Sequence, residues 1–252
     1  MIDATPLKGK VALVTGGSRG IGKAISMRLA DMGAKVCINF FKNRTAAEET
    51  LEEVKGRGGD ALLLRANVGS QKSLTKMFDN IKNTIGILDI FISNAALGRI
   101  GHIKDIDDEA WNFAMDTNAK ALLFGAQKAA EIMTNGGNIV ALGSLGVHRY
   151  IPGYSSIATS KAAIEVLVKY LAIEYHDKKI NCNCVSGGLI NTEALKGFPN
   201  YQEIHNEAVR RTLDGCVGQP DDLAGVVCFL CTPEAKWITG QTIVADGGYS
   251  IL

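Results

Sequence analysis

Short apolar runs alternate along this chain with longer stretches of helical period. Residues 10–16 form an apolar run that ends in glycines, the pattern of a buried parallel strand. Residues 20–33 read as a helix with a glycine stop. Strands follow at 35–39, 61–66 and 88–93, with a Glu-rich helix from Thr45 to about Gly56 and another from Ser70 to about Thr84. Asp107 to about Met133 reads as one long helical stretch, broken by Asn135-Gly136-Gly137 from a fifth strand at 138–143. The next helix has Ala162, Ile164, Val166, Leu167 and Leu171 as its apolar positions. A sixth strand lies at 179–185. A polar stretch to about Gly218 holds one weak helix, and a helix from Asp221 to about Leu230 precedes a last strand at 241–246. This alternation with short connections predicts a parallel sheet covered by helices on both faces, a doubly wound α/β fold. No repeat or linker divides it, so a single domain over residues 1–252 is expected. The stretch 187–218 is longer than ordinary loops and has the length of a lid over a substrate.

Composition changes this picture little. A hydrophobic share of 46% and a charged share of 21% over 252 residues suit one large core. A net charge of +1 and the lack of a basic run give no argument for nucleic acid. No apolar run approaches a membrane span, and the first ten residues hold no secretory apolar segment, so a cytoplasmic address is the default. The six cysteines, at 37, 182, 184, 216, 228 and 231, show no metal-ligand spacing and read as small buried hydrophobes. No metal site is expected.

The first candidate chemistry is a glycine-rich turn between the first strand and its helix, Thr15-Gly16-Gly17-Ser18-Arg19-Gly20-Ile21-Gly22. Gly16 allows the tight turn, Gly20 lets the backbone approach a pyrophosphate, and Gly22 lets helix and strand pack closely. The helix N-terminus then offers free N–H groups to phosphate. In its strand-before, helix-after setting this predicts a Rossmann-type dinucleotide site, with Gly16, Ser18, Arg19, Gly20, Ile21 and Gly22 as contacts. No acid ends the second strand, where Asn39-Phe40-Phe41-Lys42-Asn43-Arg44 stands. Arg19, with Lys42 or Arg44, is available for a 2′-phosphate, which favours NADPH over NADH. Lys42 and Arg44 also fit as ordinary solvated charges.

The spacing Thr-Gly-x-x-x-Gly-x-Gly resembles that of the short-chain dehydrogenase/reductase family, and matches to the family pattern run from Lys10 to Gly248. By that resemblance Asn67-Val68 borders the adenine and Ser93-Asn94-Ala95-Ala96 stands in place of Asn-Asn-Ala-Gly. Asn118 supports the active-site lysine through water. Ser186-Gly187-Gly188-Leu189-Ile190-Asn191-Thr192 replaces Pro-Gly-x-x-x-Thr, the Ile190 backbone holding the nicotinamide carboxamide and Thr192 the phosphates. The closing signature runs from Ile238 to Gly248.

The family's catalytic Tyr stands four residues before its Lys. Here Lys161 is preceded at that place by Ile157, which cannot move a proton, and Tyr154 lies seven residues before the Lys. On one helix the two side chains would fall within ~20° of a common face and about 10 Å apart along the axis. Tyr-x6-Lys resembles the enoyl-thioester reductase branch. Asn118-Ala119-Lys120-Ala121-Leu122-Leu123-Phe124, Ser144-Leu145-Gly146-x-x-Arg149-Tyr150, Val185-Ser186-Gly187-Gly188 and Ala194-Leu195-Lys196-x-Phe198-Pro199 resemble the NADPH-dependent type III enoyl-acyl-carrier-protein reductases. The resemblance implies reduction of a trans-2-enoyl thioester, with Tyr154 on the thioester oxygen, Lys161 on the nicotinamide ribose, and Ser144 on substrate or capping the strand end. Tyr150 is expected as a wall residue. Lys196, Arg210 and Arg211 would meet an acidic acyl carrier protein, coenzyme A being the other acyl carrier; as simple solvated charges they fit equally well. A homotetramer is expected from the resemblance. Two rivals stand beside this reading: a carbonyl or 3-oxoacyl reductase with a shifted Tyr, and a silent NADP-binding regulator.

Overall fold

The structure is a computed structural model that describes residues 5–196 and 201–252. Seven parallel strands form one sheet in the order β3-β2-β1-β4-β5-β6-β7. They are β1 (Val11–Val14), β2 (Lys35–Phe40), β3 (Asp60–Arg65), β4 (Ile90–Ser93), β5 (Gly137–Leu142), β6 (Ile180–Gly187) and β7 (Thr242–Ala245). The central strands β1 and β4 are buried at every position, which is why their sequence is continuously apolar and not alternating. The order reverses beside β1, so the C-terminal ends of β1 and β4 diverge into the crevice where doubly wound sheets hold ligands.

Helices α3 (Gln71–Thr84), α5 (Ala121–Ile132) and α6 (Ser155–Glu174) cover one face, packing Leu74, Met77, Phe78, Leu122, Ala126, Ile164 and Val168 on Leu13, Phe91, Ile139, Cys182 and Cys184. Helices α1 (Gly20–Asp31) and α9 (Pro220–Phe229) cover the other, with Ile25, Leu29, Leu223 and Val227 on Val14, Ile92, Val140 and Val185. In α3 the apolar residues stand at i, i+3, i+4 and i+7, and the Ser70 hydroxyl caps the helix by accepting from Ser73 N. Helix α2 (Arg44–Gly56) is capped likewise by Asn43.

Three expectations are corrected. The stretch 107–133 is α4 (Asp108–Met115) and α5 joined by a π-turn, Asp116–Lys120. Among the described residues the polar stretch before Gly218 holds two helices, α7 (Glu193–Lys196) and α8 (Tyr201–Arg211), and not one; the phrase Phe198-Pro199 lies outside the described residues, as does the start of the chain. Cys216 is exposed, while the other five cysteines are buried. Burial pushes the thiols of Cys37, Cys182, Cys184 and Cys228 up to about 12 and holds them neutral. Among the described residues no helix is long and apolar enough to cross a membrane, and no three His, Cys, Asp or Glu side chains gather as metal ligands.

Candidate active site

The glycine-rich turn is built for close approach. Gly16 and Gly20 take φ of 61° and 52°, a region that favours glycine. A Cβ on Gly22 would stand 2.1 Å from the Gly16 carbonyl oxygen, so no side chain fits there. Ser26 Oγ donates to the Gly17 carbonyl and Thr50 Oγ1 to that of Ser18, which fixes the turn from α1 and α2. Arg19 is the residue before α1 and makes no side-chain cap, so the first N–H groups of this twelve-residue helix point into the turn with no side chain from that position upon them. Ile21 is half-buried against the core. Thr192 reaches this place from the end of β6: its Cγ2 lies 3.4 Å from where a Gly20 Cβ would be.

Two residues passed over in the sequence hold the turn in place. Thr15 Oγ1 accepts from the backbone N–H groups of Asn94 and Ala95, at 3.0 and 3.1 Å, and donates to the Ile92 carbonyl. Asn39, fully enclosed at the end of β2, accepts from Gly16 N–H and donates to the Leu64 and Ala66 carbonyls. A polar residue amid the apolar run of β2 was the signal that went unread. Asn94 donates to the carbonyls of Thr15 and Gly16, so its side chain serves the turn itself. Asn67 Oδ1 accepts from Gly69 N–H, and Val68 is buried beside it. Gly187 clears Leu223, whose Cδ1 lies 2.6 Å from the place of a Cβ there. Lys42 and Arg19 are exposed. Arg44 pairs with Glu48 at 2.8 Å one turn along α2, and both side chains are exposed.

Ile190 pairs with Gly218 as an isolated bridge. Asn191 N–H donates to Gly218 O and Gly218 N–H to Leu189 O. In such a bridge the N–H and C=O of the intervening residue point the other way, so those of Ile190 face away from Gly218.

Around Lys161 the structure departs from the simple helical picture. Tyr154 has φ −99° and ψ 8° and is the cap of α6, its carbonyl accepting from Ala158 N–H, so its side chain leaves from the start of the helix and not from within it. Its ring lies against the backbone of Gly146, where a Cβ would meet the ring at 2.6 Å. Ser144 Oγ donates to its phenol at 3.3 Å and accepts from Gly146 N–H. Burial raises the Tyr154 pKa above its ordinary value, and the Ser144 bond opposes the rise. Ile157 is 8% exposed. It lies under Gly98, whose Cβ would fall 2.2 Å from Ile157 Cγ1. Tyr150, expected as a wall, is 87% exposed.

Lys161 is buried and donates to the Leu142 carbonyl at 2.6 Å. Burial lowers its pKa to about 8. Asn118, in the π-turn, does not aim its side chain at the lysine. It accepts from Leu97 N–H at 2.9 Å and donates to the Leu97 carbonyl and to Ser160 Oγ, and Ser160 in turn donates to the Ile157 carbonyl. The three cations expected to greet a carrier protein are paired on their own helices, Lys196 with Glu193 and both Arg210 and Arg211 with Glu207.

The chain matches the family model described as Enoyl-(Acyl carrier protein) reductase over residues 16–250. It is 38% identical to the probable tetrahydroxynaphthalene reductase of Zymoseptoria tritici over 98% of this chain and 96% of that one. It is likewise 38% identical to 1-cyclohexenylcarbonyl-CoA reductase of Streptomyces collinus, over 96% and 88%. The crystal structure of angucycline C-6 ketoreductase LanV with bound NADP superposes with a TM-score of 0.91 at 32% identity, over 98% of both chains. With a match through the glycine turn, the lysine helix and the last strand alike, the chain belongs to the short-chain dehydrogenase/reductase family and is an oxidoreductase of that family.

Proposed function

We propose that this reductase uses NADPH to saturate the C2=C3 double bond of trans-2-enoyl thioesters. The observation that carries the reading is the exchange at the two positions before Lys161. The ordinary catalytic place holds an isoleucine sealed under Gly98, while the phenol of Tyr154 stands beside Ser144. In carbonyl reduction, hydride lands on the carbon that bears the oxygen. In enoyl-thioester reduction it lands on C3, and charge builds on the oxygen of C1, two carbons away. An acid displaced along the chain from position 157 to 154 matches that displaced oxygen.

NADPH suits the chain's own residues: a glycine turn in which a Cβ on Gly22 would collide with the Gly16 carbonyl, no acid at the end of β2, and exposed Arg19 and Lys42 nearby. Bound there, it supplies the hydride. Gly16, Ser18, Arg19, Gly20, Ile21, Gly22 and Thr192 would hold its pyrophosphate, Asn67 and Val68 would border its adenine, and Ala95, Gly187 and the Ile190 backbone would line the nicotinamide side. Tyr154, kept protonated by burial, donates to the thioester oxygen and stabilises the enolate. Lys161 as a cation lowers the energy of that charge. Ser144 holds the phenol, and Ile157 keeps water from the reacting face. C2 then takes a proton from water, which completes the addition of hydride and proton across the double bond.

The second reading is carbonyl reduction, and the names of the relatives weigh toward it: a tetrahydroxynaphthalene reductase and an angucycline ketoreductase stand among them. Against these stands 1-cyclohexenylcarbonyl-CoA reductase, whose named substrate carries a ring double bond and a thioester carbonyl. NADPH oxidation with trans-2-enoyl-CoA, enoyl-acyl carrier protein, 3-oxoacyl-CoA and hydroxynaphthalenone substrates separates the readings. Turnover of the enoyl thioesters that collapses in Tyr154→Phe, with NADPH binding kept, is the expected result. Turnover of the ketones alone would hand the site to carbonyl reduction.

A further inference from the structure

We infer that Glu165 is a positioning residue for the acid group: through His148 it holds the turn that sets Ser144 and Tyr154. The inference rests on the role given to Tyr154 above.

Glu165 stands on α6 one turn beyond Lys161. Its side chain is only 12% exposed, and among the described residues its Oε1 is buried with no hydrogen-bond partner. A helix face that turns inward ordinarily carries an apolar residue, and a carboxylate there gives up hydration that it does not fully recover. Such a group calls for a use of its other oxygen. Oε2 lies 3.1 Å from His148 Nε2. An ionised carboxylate only accepts, so the imidazole N–H donates. Burial governs the Cys184 thiol of β6, and after burial the charges of Lys161 and Glu165 act on it with opposite signs. The carboxylate therefore faces the sheet on the same side as the lysine, and its bond to His148 runs from there to the loop after β5.

What His148 anchors is the piece of chain that serves the phenol. It closes a single 3-10 turn, Leu145–Val147, its N–H donating to the Leu145 carbonyl at 2.9 Å. The turn opens at Ser144, whose Oγ donates to the Tyr154 phenol and accepts from Gly146 N–H. The Tyr154 ring rests on Gly146. The hydroxyl and the platform that locate the phenol thus lie within four residues of an imidazole gripped by α6. The sheet fixes the near end of the turn, where Gly143 N–H donates to the Val185 carbonyl at 2.8 Å. At the far end, the N–H groups of His148 and Arg149 both return to Leu145, inside the turn itself, and the Arg149 side chain reaches the Ser250 carbonyl near the end of the chain. Glu165 is what ties that end to the helix that carries Lys161.

The test is a double-mutant cycle on NADPH-dependent turnover, with Glu165→Ala and Ser144→Ala singly and together. A loosened turn misplaces the acid, which acts in the transition state, so Glu165→Ala should lower kcat about tenfold while KM for NADPH stays within about twofold. In Ser144→Ala, where the hydroxyl is already gone, the same change should cost about threefold or less. Glu165→Gln still presents an oxygen to His148 and should keep kcat within about threefold of wild type. His148→Ala, at a half-exposed residue, should reproduce the Glu165→Ala loss in a protein of unchanged circular dichroism. Unchanged kcat in both Glu165→Ala and His148→Ala would overturn the inference and leave an ordinary ion pair. Equal losses with and without Ser144 would overturn it too, since the carboxylate would then act by another route. If the wild type reduces ketones and not enoyl thioesters, the function proposed above falls. The same cycle run on the ketone still decides for or against Glu165, because the phenol donates in either reaction.

Discussion

Lys161 is the residue on which the chemistry of this site is most exposed to pH. Its ammonium is buried, and its pKa falls to about 8 against an ordinary value of 10.5. Between those values the unfolded chain binds the proton more readily than the folded one. The lysine's contribution to stability therefore rises with pH through that window, by up to about 1.4 kcal/mol per unit, and the gain is lost as pH falls toward 8. The five buried thiols, neutral in the fold but titrating near 9 once unfolded, press the other way over the same range, so the lysine's part is read as a difference: in urea unfolding from pH 7 to 10.5, stability should fall more steeply with pH in Lys161→Met than in wild type. The same titration limits activity: if the cation favours the enolate, kcat/KM descends above about pH 8, where the free enzyme loses it. Ile157 yields a second expectation. Because Gly98 sits directly upon it, Ile157→Tyr overfills the contact, at about 1–3 kcal/mol of stability. Adding it to Tyr154→Phe should not create ketone turnover, and recovery of such turnover in that double variant would show that position 157 opens to substrate after all.

At the scale of the element, the π-turn is where function departs from regular structure. The extra residue in Asp116–Lys120 sits between α4 and α5 and brings Asn118 within reach of both Leu97 and Ser160. The loop after β4, the long helix and α6 are thereby joined by one amide and one hydroxyl. Ser160→Ala leaves the Asn118 amide with only the Leu97 carbonyl to donate to, and a loss of about 1–3 kcal/mol in urea unfolding is expected. Asn118→Ala, which removes the whole junction, should lose more. The strands and most helices were legible in the sequence because burial on both faces writes itself as continuous apolar runs and burial on one face as a helical stripe. The π-turn was not, since Asp116-Thr117-Asn118-Ala119-Lys120 carries no breaker and fits an ordinary helix. The site was legible in part. The glycine turn and Lys161 announce themselves by spacing, but the bond from Thr15 to Asn94, the seal of Gly98 on Ile157 and the bridge from Ser160 to Asn118 join residues far apart in the chain. The start of α6 one residue after Tyr154 was equally hidden, because Tyr is as acceptable within a helix as before it.

For the whole molecule, the outer face of α6 is the feature that bears on assembly. Val166, Tyr170 and Ile173 recur at i, i+4 and i+7 on the outer side of α6, and they are 52%, 62% and 78% exposed. An apolar stripe left in water on a helix whose other face is packed is a surface that association would cover. A homotetramer joined through the helices after Asp107 and Tyr154 is the assembly we propose. The consequence for function is mechanical: α6 begins beside the phenol and carries Lys161 two turns in, so burying its outer face holds both groups against a single frame. Tyr170→Glu with Ile173→Glu should lower the mass measured by light scattering on a sizing column while circular dichroism keeps the helix content. These substitutions lie outside the site, so a fall in kcat at concentrations where the assembly has dissociated, with NADPH affinity kept, would tie assembly to the positioning of Tyr154. Retention of the wild-type mass would place the interface elsewhere, and the stripe would need another explanation.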